Sequence, residues 1–106
     1  MSLLFVAIVQ NNDADRVVKA LSAEGHRSTR IPSIGGFLAA ANTTLLVGLE
    51  EEQEAAVVGI FERECSGREV EVPIVLLDRL KDAFPRVVRY GGATIFIVDL
   101  RGIVRV

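Results

Sequence analysis

Two glycine pairs, Gly35-Gly36 and Gly91-Gly92, are the features of the sequence that suggest ligand chemistry most directly. Adjacent glycines let backbone N–H groups converge on an anion, or let a flat ring approach the main chain. Neither pair fits a P-loop or a dinucleotide-binding fingerprint, and two ordinary tight turns would contain the same residues. The spacing alone therefore leaves a ligand loop and a simple turn both open.

Polar side chains flank the first glycine pair. Arg27, Thr29 and Asn42 offer a cation, a hydroxyl and an amide, which together suit a phosphate and the edge of a base. Phe37 and Phe96 are candidates for apolar contact with a ring, and they would serve equally well as core residues. These residues are the basis of a binding hypothesis.

The residue types needed for catalysis or metal binding are scarce. His26 is the only histidine and would be the only base for a serine nucleophile, and its place beside a predicted strand favours a packing or surface role. Cys65 is predicted to be an inert core thiol. The glutamates between Glu50 and Glu54 fit the start of a helix better than a metal site, because consecutive helical carboxylates point in different directions. We therefore expect no enzyme, no metal and no cofactor.

Composition narrows the class of protein further. The chain has 106 residues, half of them apolar and a quarter charged, which predicts a single domain over 1–106. The net charge of -2 argues against a general DNA or RNA binder, and a single cysteine cannot form an intramolecular disulfide. The apolar run Leu3–Val9 lacks the basic flank of a signal peptide, and no run approaches the roughly 20 residues of a membrane helix. A cytoplasmic location without membrane insertion is predicted.

Apolar runs of strand length predict the sheet that would hold these residues. The run Leu3–Val9 is apolar at every position, as expected for a central strand that is buried on both faces. The predicted strands are Leu3–Val9, Arg27–Ile31, Thr43–Val47 ending at Gly48, an edge or irregular strand at Val70–Leu77, and Ala93–Val98.

Two helices are predicted from apolar residues that recur every three or four positions. The first is capped by Asn12 or Asp13, has Asp15 favourably placed in its first turn, and stops at Gly25. The second begins at the glutamates and stops at Ser66-Gly67. The core stripes are Ala14, Val17, Val18 and Leu21 in the first helix, and Val57, Ile60, Phe61 and Cys65 in the second.

The remaining segments complete the predicted topology. Pro32–Ala41 is predicted to be a loop, Leu77–Phe84 is compatible with a short helix, and Arg101–Val106 is a short tail. The order β-α-β-β-α-β is that of the ferredoxin-like α+β sandwich. Two helices cover one face of such a sheet, yet Leu3–Val9 and Ile95–Val98 are apolar on both faces. A homo-oligomer that packs sheet against sheet is therefore predicted, with a monomer that has an apolar open face as the alternative.

The glycine pairs and their neighbours also carry a family resemblance. The matching segments are Ala7-Ile8-Val9-Gln10 with Asp13, Arg27-Ser28-Thr29, the stretch Ser33–Gly48 with Gly35-Gly36-Phe37-Leu38 and Asn42-Thr43-Thr44, Cys65, Arg68-Glu69, and Gly91-Gly92-Ala93-Thr94-Ile95-Phe96. Over most of its length the chain resembles the PII-like cyclic-di-AMP receptor family. The two glycine blocks together are fairly specific, and neither would be specific alone.

The resemblance implies a fold, an assembly and a ligand. The expected protein is a PII-like homotrimer with a ferredoxin-like subunit, which binds cyclic-di-AMP or a related adenine nucleotide between subunits and switches loops that contact an unknown protein partner. The implied ligand-binding residues are Arg27, Thr29, Gly36, Phe37, Leu38, Asn42, Gly48 and Phe96. In this expectation Arg27 and Thr29 meet a phosphate, Asn42 and backbone near Phe37-Leu38 read adenine, and Phe37, Leu38 and Phe96 form an apolar wall.

Four places depart from the family pattern, one of them the C-terminal tail, which is different and short. Gly25 stands where an asparagine is frequent, and Ala39-Ala40-Ala41 stands where Arg-Ala-Gly is frequent. The segment Leu77–Tyr90 is shorter than the corresponding family loop and carries four basic residues: Arg79, Lys81, Arg86 and Arg89. Two alternatives stay open at this stage. One is a trimeric interaction module with no nucleotide, and the other is an acylphosphatase-like hydrolase that uses Arg27 and Asn42.

Overall fold

The fold is seen in a computed structural model, which describes residues 1–32, 42–65, 86–90 and 92–106. The described elements are five strands and two helices, and the last two strands pair with each other. This α+β arrangement is compatible with a ferredoxin-like fold. The elements are β1 (Ser2–Gln10), α1 (Asn11–Ala23), β2 (Ser28–Pro32), β3 (Asn42–Glu50), a 3-10 turn (Glu51–Gln53), α2 (Glu54–Glu64), β4 (Arg86–Tyr90) and β5 (Ala93–Leu100).

The strands form one antiparallel sheet in the order β2-β3-β1-β5-β4. The apolar run predicted as a central strand is β1, which pairs along its length with β3 on one side and β5 on the other. β4 is an edge strand that pairs with β5. This strand corrects the prediction from sequence, which placed Arg86–Tyr90 in a loop because Arg86 and Arg89 masked the two valines between them.

Both helices pack on one face of the sheet, and the core lies between the two layers. Alternate residues of each central strand point into it, as the two-residue period of a strand requires. Both predicted apolar stripes are confirmed, with Val18 partly buried at the edge. The buried core residues are Leu3, Phe5, Ala7, Val9, Ala14, Val17, Leu21, Leu45, Val47, Leu49, Val57, Ile60, Phe61, Cys65, Ala93, Ile95 and Ile97.

The start of α1 differs from the predicted cap. The N-cap residue is Gln10, without a side-chain cap hydrogen bond, so Asn12 and Asp13 already lie in the first turn. Asp13 is buried and forms an ion pair with Arg16, which also donates to the Glu64 carbonyl oxygen at 3.4 Å. The carboxylate that looked like a cap therefore helps to hold α1 against the end of α2.

Charged side chains also connect α1 to the neighbouring strand. Asp15 lies in the second turn, one turn later than predicted, and accepts a hydrogen bond from Arg30 of β2 at 2.8 Å. This hydrogen bond and the positive charge of Arg30 hold the pKa of Asp15 below its ordinary value. The pair is exposed, so it orients β2 against α1 and adds little to stability.

The predicted stop of α1 at Gly25 is confirmed. Gly25 has a φ of +85° and is the one described residue with positive φ. Its N–H donates to the Ser22 carbonyl at 3.0 Å, and the N–H of His26 donates to the Leu21 carbonyl at 2.8 Å. These two bonds form a Schellman motif, which closes the helix and turns the chain into β2.

β3 continues beyond its predicted end. Gly48 pairs with Leu4 inside the strand, which runs on to Glu50. Glu50 and Gln53 then form a reciprocal capping box around the 3-10 turn that leads into α2. The glutamates thus begin the helix as expected, and they are exposed or partly exposed.

Several predicted segments lie outside the described residues: 33–41 of the predicted loop Pro32–Ala41, the strand at Val70–Leu77 and the short helix at Leu77–Phe84. Within the part of the chain that is described, no helix is long and apolar enough to cross a membrane.

Candidate ligand-binding site

One face of the sheet has no helix against it in the described chain, and we call it the helix-free face. Strand alternation and the pairing register define its members. It consists of Ser2, Leu4, Val6, Ile8, Gln10, Thr29, Ile31, Asn42, Thr44, Leu46, Gly48, Glu50, Thr94, Phe96, Val98 and Leu100. All the described site residues inside strands lie on this face.

Three of the predicted site residues lie together at the β2–β3 edge. Thr29 of β2 pairs with Leu46 of β3, two residues from Gly48. Arg27 comes directly before β2, and extending the register by one residue sets it across from Gly48. Arg27, Thr29 and Gly48 are all exposed. This edge therefore presents a guanidinium, a hydroxyl and an uncovered stretch of backbone to one ligand.

Arg27 differs from the other arginines that flank the helices. Arg16 pairs with Asp13, Arg30 with Asp15, and Arg63 with Glu24. Arg27 has no hydrogen bond or ion pair with any residue in the described ranges, so its guanidinium is available to an anion. A free guanidinium beside a hydroxyl suits a phosphate group, which accepts charge-assisted hydrogen bonds.

Asn42 occupies another part of the same face. It begins β3 opposite Gln10 and is 4% exposed, so its amide is largely buried. The next residue, Thr43, donates a hydrogen bond to Asn11 at the start of α1. The start of α1 and the start of β3 are thus joined by polar side chains. Four residues of extended strand separate Asn42 from Leu46, a distance of roughly 13 Å.

Phe96 lies on the helix-free face of β5 and is fully buried. Its neighbours Ile95 and Ile97 belong to the core under the helices, and Phe96 does not. It shares a cross-strand row with Val6, Leu46 and Thr29. Three inter-strand spacings separate Phe96 from Thr29, or roughly 14 Å. The ring can meet a ligand only if it is uncovered.

The structure therefore brings Arg27, Thr29 and Gly48 together, and we call these three residues the edge group. It places Asn42 and Phe96 farther away on the same face. The predicted contacts at Gly36, Phe37 and Leu38 lie outside the described residues. One further residue joins the edge group without having been predicted. The Cδ1 atom of Ile103 is 3.9 Å from the position that a Cβ on Gly48 would occupy.

Sequence reasoning missed Ile103 because the segment after β5 has no regular period. Its only signal is the unusual apolar content of an exposed tail, since Ile103, Val104 and Val106 are 65%, 89% and 124% exposed.

Nothing in the described ranges assembles a reactive centre. No group of three or more potential metal ligands occurs there. Burial raises the pKa of the Cys65 thiol to about 12, with the negative charge of Asp13 adding to the effect, so the thiol stays protonated. His26 is half-buried at the α1–β2 turn. What this geometry does offer is recognition: a free cation, a hydroxyl and open backbone.

Comparisons with known proteins identify the family of the chain and support its fold. A sequence model of the cyclic-di-AMP receptor family matches residues 1–106. Among solved structures, the chain is similar to a functionally unknown protein from Pediococcus pentosaceus, with 26% identity over 99% of this chain and 97% of that one, and a TM-score of 0.68. The structural likeness supports the fold, and the family match spans every residue of the edge group. The resemblance noted in the sequence is thus confirmed, and the chain belongs to the cyclic-di-AMP receptor family.

Proposed function

We propose that this protein is a PII-like sensor that binds cyclic-di-AMP, or a related adenine nucleotide, on the helix-free face. The observation that carries the proposal is the exposed Arg27, which has no partner among the described residues and lies beside Thr29 and Gly48 in a member of this receptor family. The Arg27 guanidinium donates hydrogen bonds to a phosphate oxygen, and the Thr29 hydroxyl donates a hydrogen bond to the same phosphate. Gly48 has no side chain, which lets the ligand approach the main chain.

The positions of the other site residues support a pocket between subunits. Asn42 and Phe96 are each more than 10 Å from Thr29 by strand geometry, so one small group cannot touch all of them within one chain. In the proposed pocket Asn42 reads adenine, and Gly36, Phe37, Leu38 and Phe96 complete its wall. A second subunit covers the ligand from the other side.

Apolar residues on the helix-free face support the homotrimer that this pocket requires. Leu4, Val6 and Leu46 are only partly buried there, and Ile31 is 42% exposed. Burial of such a face against other copies contributes about 25 cal/mol for each Å² of apolar surface. In a closed ring of three subunits, each copy buries the same part of its helix-free face.

The proposed signal is a change in the surface that a protein partner meets. A ligand shifts a conformational equilibrium only through contacts that differ between the two states. The phosphate bond to Arg27 is such a contact if the loop after β2 closes over the ligand. We propose a protein partner that distinguishes the two loop states.

A thermal-shift series tests this function. The unfolding temperature is measured with cyclic-di-AMP, cyclic-di-GMP, ATP and AMP at equal concentration. Ligand that binds only the folded state at 100 times its Kd stabilises it by about 2.7 kcal/mol, which shifts the midpoint by several degrees. We expect the largest shift with cyclic-di-AMP. If no nucleotide moves the midpoint, the proposal is wrong, and a nucleotide-free interaction module replaces it.

A further inference from the structure

Polar contacts tie the helix-free face of the sheet to the helical layer at one end of the molecule. Asn42 begins β3 on the helix-free face, opposite Gln10, the N-cap residue of α1. Thr43 follows in the strand and so points to the other face, where its hydroxyl donates a hydrogen bond to the Asn11 side chain. Thr43 is 7% exposed, so this bond is largely shielded from water and costly to lose. A contact that holds Asn42 in place thus holds the start of α1 as well.

The first turn of α1 in turn holds the end of α2. Arg16 pairs with the buried Asp13 and donates a hydrogen bond to the Asn12 carbonyl oxygen at 3.2 Å. The same guanidinium donates to the carbonyl oxygen of Glu64, the last residue of α2, at 3.4 Å. We call Asp13, Arg16 and the Glu64 carbonyl the latch. Because Asn11 lies in the same helical turn, the latch and the tie to β3 form one chain of contacts.

The end of α2 is held loosely enough to open. Its contact with the latch is a long hydrogen bond, and the Arg16 side chain is 54% exposed. The last carbonyl groups of a helix have no partner within the helix, so its final turn frays when outside contacts are lost. In the closed state Cys65 is 9% exposed, and its N–H donates to the Phe61 carbonyl at 3.0 Å. The Cys65 amide therefore reports whether the end of α2 is closed.

We propose that ligand bound at Asn42 closes the latch and so fixes the C-terminal end of α2, on the opposite side of the sheet from the ligand. This inference rests on the proposed function and extends it from binding to output. A ligand shifts a two-state equilibrium only if it binds the two states with different affinity. Here the difference arises because an open latch releases the first turn of α1, which loosens the start of β3 and the Asn42 amide with it.

Thermodynamic linkage fixes the size of this coupling from both sides. The factor by which saturating ligand suppresses opening equals the factor by which opening weakens the ligand. Coupling factors between two sites are typically about 5 to 150. Arg16→Ala leaves the latch open, so its Kd for cyclic-di-AMP should rise by the same factor by which the ligand slows exchange of the Cys65 amide in the wild type, under conditions where closing is faster than exchange.

Residue-resolved hydrogen exchange with and without saturating cyclic-di-AMP, together with calorimetric titration, tests the proposal on the full chain. We expect the ligand to slow exchange of the Cys65 amide about fivefold or more in the wild type. Arg16→Ala should abolish that slowing, because the latch is gone. Thr43→Val should abolish it too, because the strand loses its bond to Asn11.

The second variant and a control separate coupling from a merely structural effect. Arg16→Ala leaves the buried Asp13 without this partner and lowers the stability, whereas Thr43→Val keeps the latch and the branched shape of the strand side chain. Arg63→Ala is the matched control, since it removes the other arginine that bridges the two helices, through Glu24. In that variant the ligand should still slow exchange at the end of α2.

Binding of cyclic-di-AMP to the wild type without slower exchange at Cys65 overturns this inference and leaves the proposed function intact. Slowing that persists in both Arg16→Ala and Thr43→Val overturns it as well, because the coupling then bypasses the latch. Equal loss of slowing in Arg63→Ala also overturns it, since any weakening of the contact between the helices would then suffice. Absence of binding to the wild-type chain rejects the proposed function and this inference together.

Discussion

Arg27 shows how a single residue can be picked out by what it does not contact. Arg16, Arg30 and Arg63 are held by carboxylates on the helical side of the molecule. Arg27 stands at the start of β2 with no partner among the described residues and with Thr29 on the same edge. An exposed arginine without a carboxylate keeps its full capacity for a bidentate bond to phosphate.

Replacement of Arg27 by alanine tests that role. The variant Arg27→Ala should lose about 1.5–3 kcal/mol of cyclic-di-AMP binding free energy, because a charge-assisted hydrogen bond is removed. Calorimetric titration measures the loss. The free energy of unfolding without ligand should stay the same, since Arg27 supports no described contact.

The matched control for this change is Arg63→Ala. Arg63 is 58% exposed and pairs with Glu24 and Glu64 on the helical layer, away from the helix-free face. Its removal should leave the ligand affinity unchanged. Equal affinity for Arg27→Ala and the wild-type chain would remove Arg27 from the site.

Cys65 gives a second prediction at the residue scale. Burial raises the pKa of its thiol to about 12, so at pH 8 roughly one molecule in ten thousand carries the reactive thiolate. We expect no labelling by a disulfide reagent in the folded protein, and one equivalent per chain in denaturant. Rapid labelling of the folded protein would show that the thiol is accessible and that the α1–α2 contact opens readily.

At the scale of elements, the turn after α1 sets the position of Arg27. The Schellman motif closes the helix at Gly25, and β2 starts three residues later. Gly25 has a positive φ, and a Cβ placed there would meet no atom within 4 Å. The glycine is therefore favoured by backbone conformation alone, which asparagine also tolerates better than alanine.

Substitutions at two glycines, Gly25 and Gly59, should have opposite effects on stability. Gly25→Ala should lower the free energy of unfolding by about 1 kcal/mol because of its positive φ, and Gly25→Asn should lower it less. Gly59→Ala in the middle of α2 should raise it by about 0.5–1 kcal/mol, since a Cβ there also meets no atom within 4 Å. Urea unfolding measures all three. A stabilising Gly25→Ala would contradict the described turn.

The elements also show what sequence patterns can and cannot predict. Both helical stripes and the central strand were predictable, because burial imposes a period of 3.6 or 2 on apolar residues. The start of α1 was not, since Asp13 carries the right side chain for a cap but uses it to bind Arg16 inside the helix. β4 was missed because a short edge strand with two arginines among its five residues has a weak apolar signal.

Some residues of the candidate site could be suggested from the sequence, and others could not. The residue types of Arg27 and Thr29, a cation and a hydroxyl that suit a phosphate, led to the prediction that both bind the ligand, and that role stays a prediction. Ile103 was not predictable, because the approach of its side chain to Gly48 depends on the path of an irregular segment after β5. Long-range placement of this kind leaves no local pattern in the sequence.

At the scale of the whole molecule, the proposed assembly rests on the helix-free face. Val6 lies near the middle of this face, in the central strand, and is partly exposed in the single chain. Val6→Lys lets the ammonium reach water in a monomer, and in an oligomer buries it without a partner. Light scattering should show three times the chain mass for the wild type and a lower mass for the variant.

The control for the assembly is Ala56→Lys. Ala56 is exposed on α2, on the opposite side of the molecule, so this variant should keep the mass of the wild type. A wild-type mass equal to that of one chain would show that the helix-free face stays open in solution. The proposed pocket between subunits would then have to be abandoned.

The most direct test of the central claim is a calorimetric titration of the wild-type protein with cyclic-di-AMP, on a sample whose mass is known from light scattering. Cyclic-di-GMP, ATP and AMP serve as controls. We predict saturable binding of one cyclic-di-AMP per subunit on a trimer, with weaker or no binding of the controls. A trimer that binds none of the four nucleotides would contradict the account, because the free Arg27 and its neighbours would then serve another purpose.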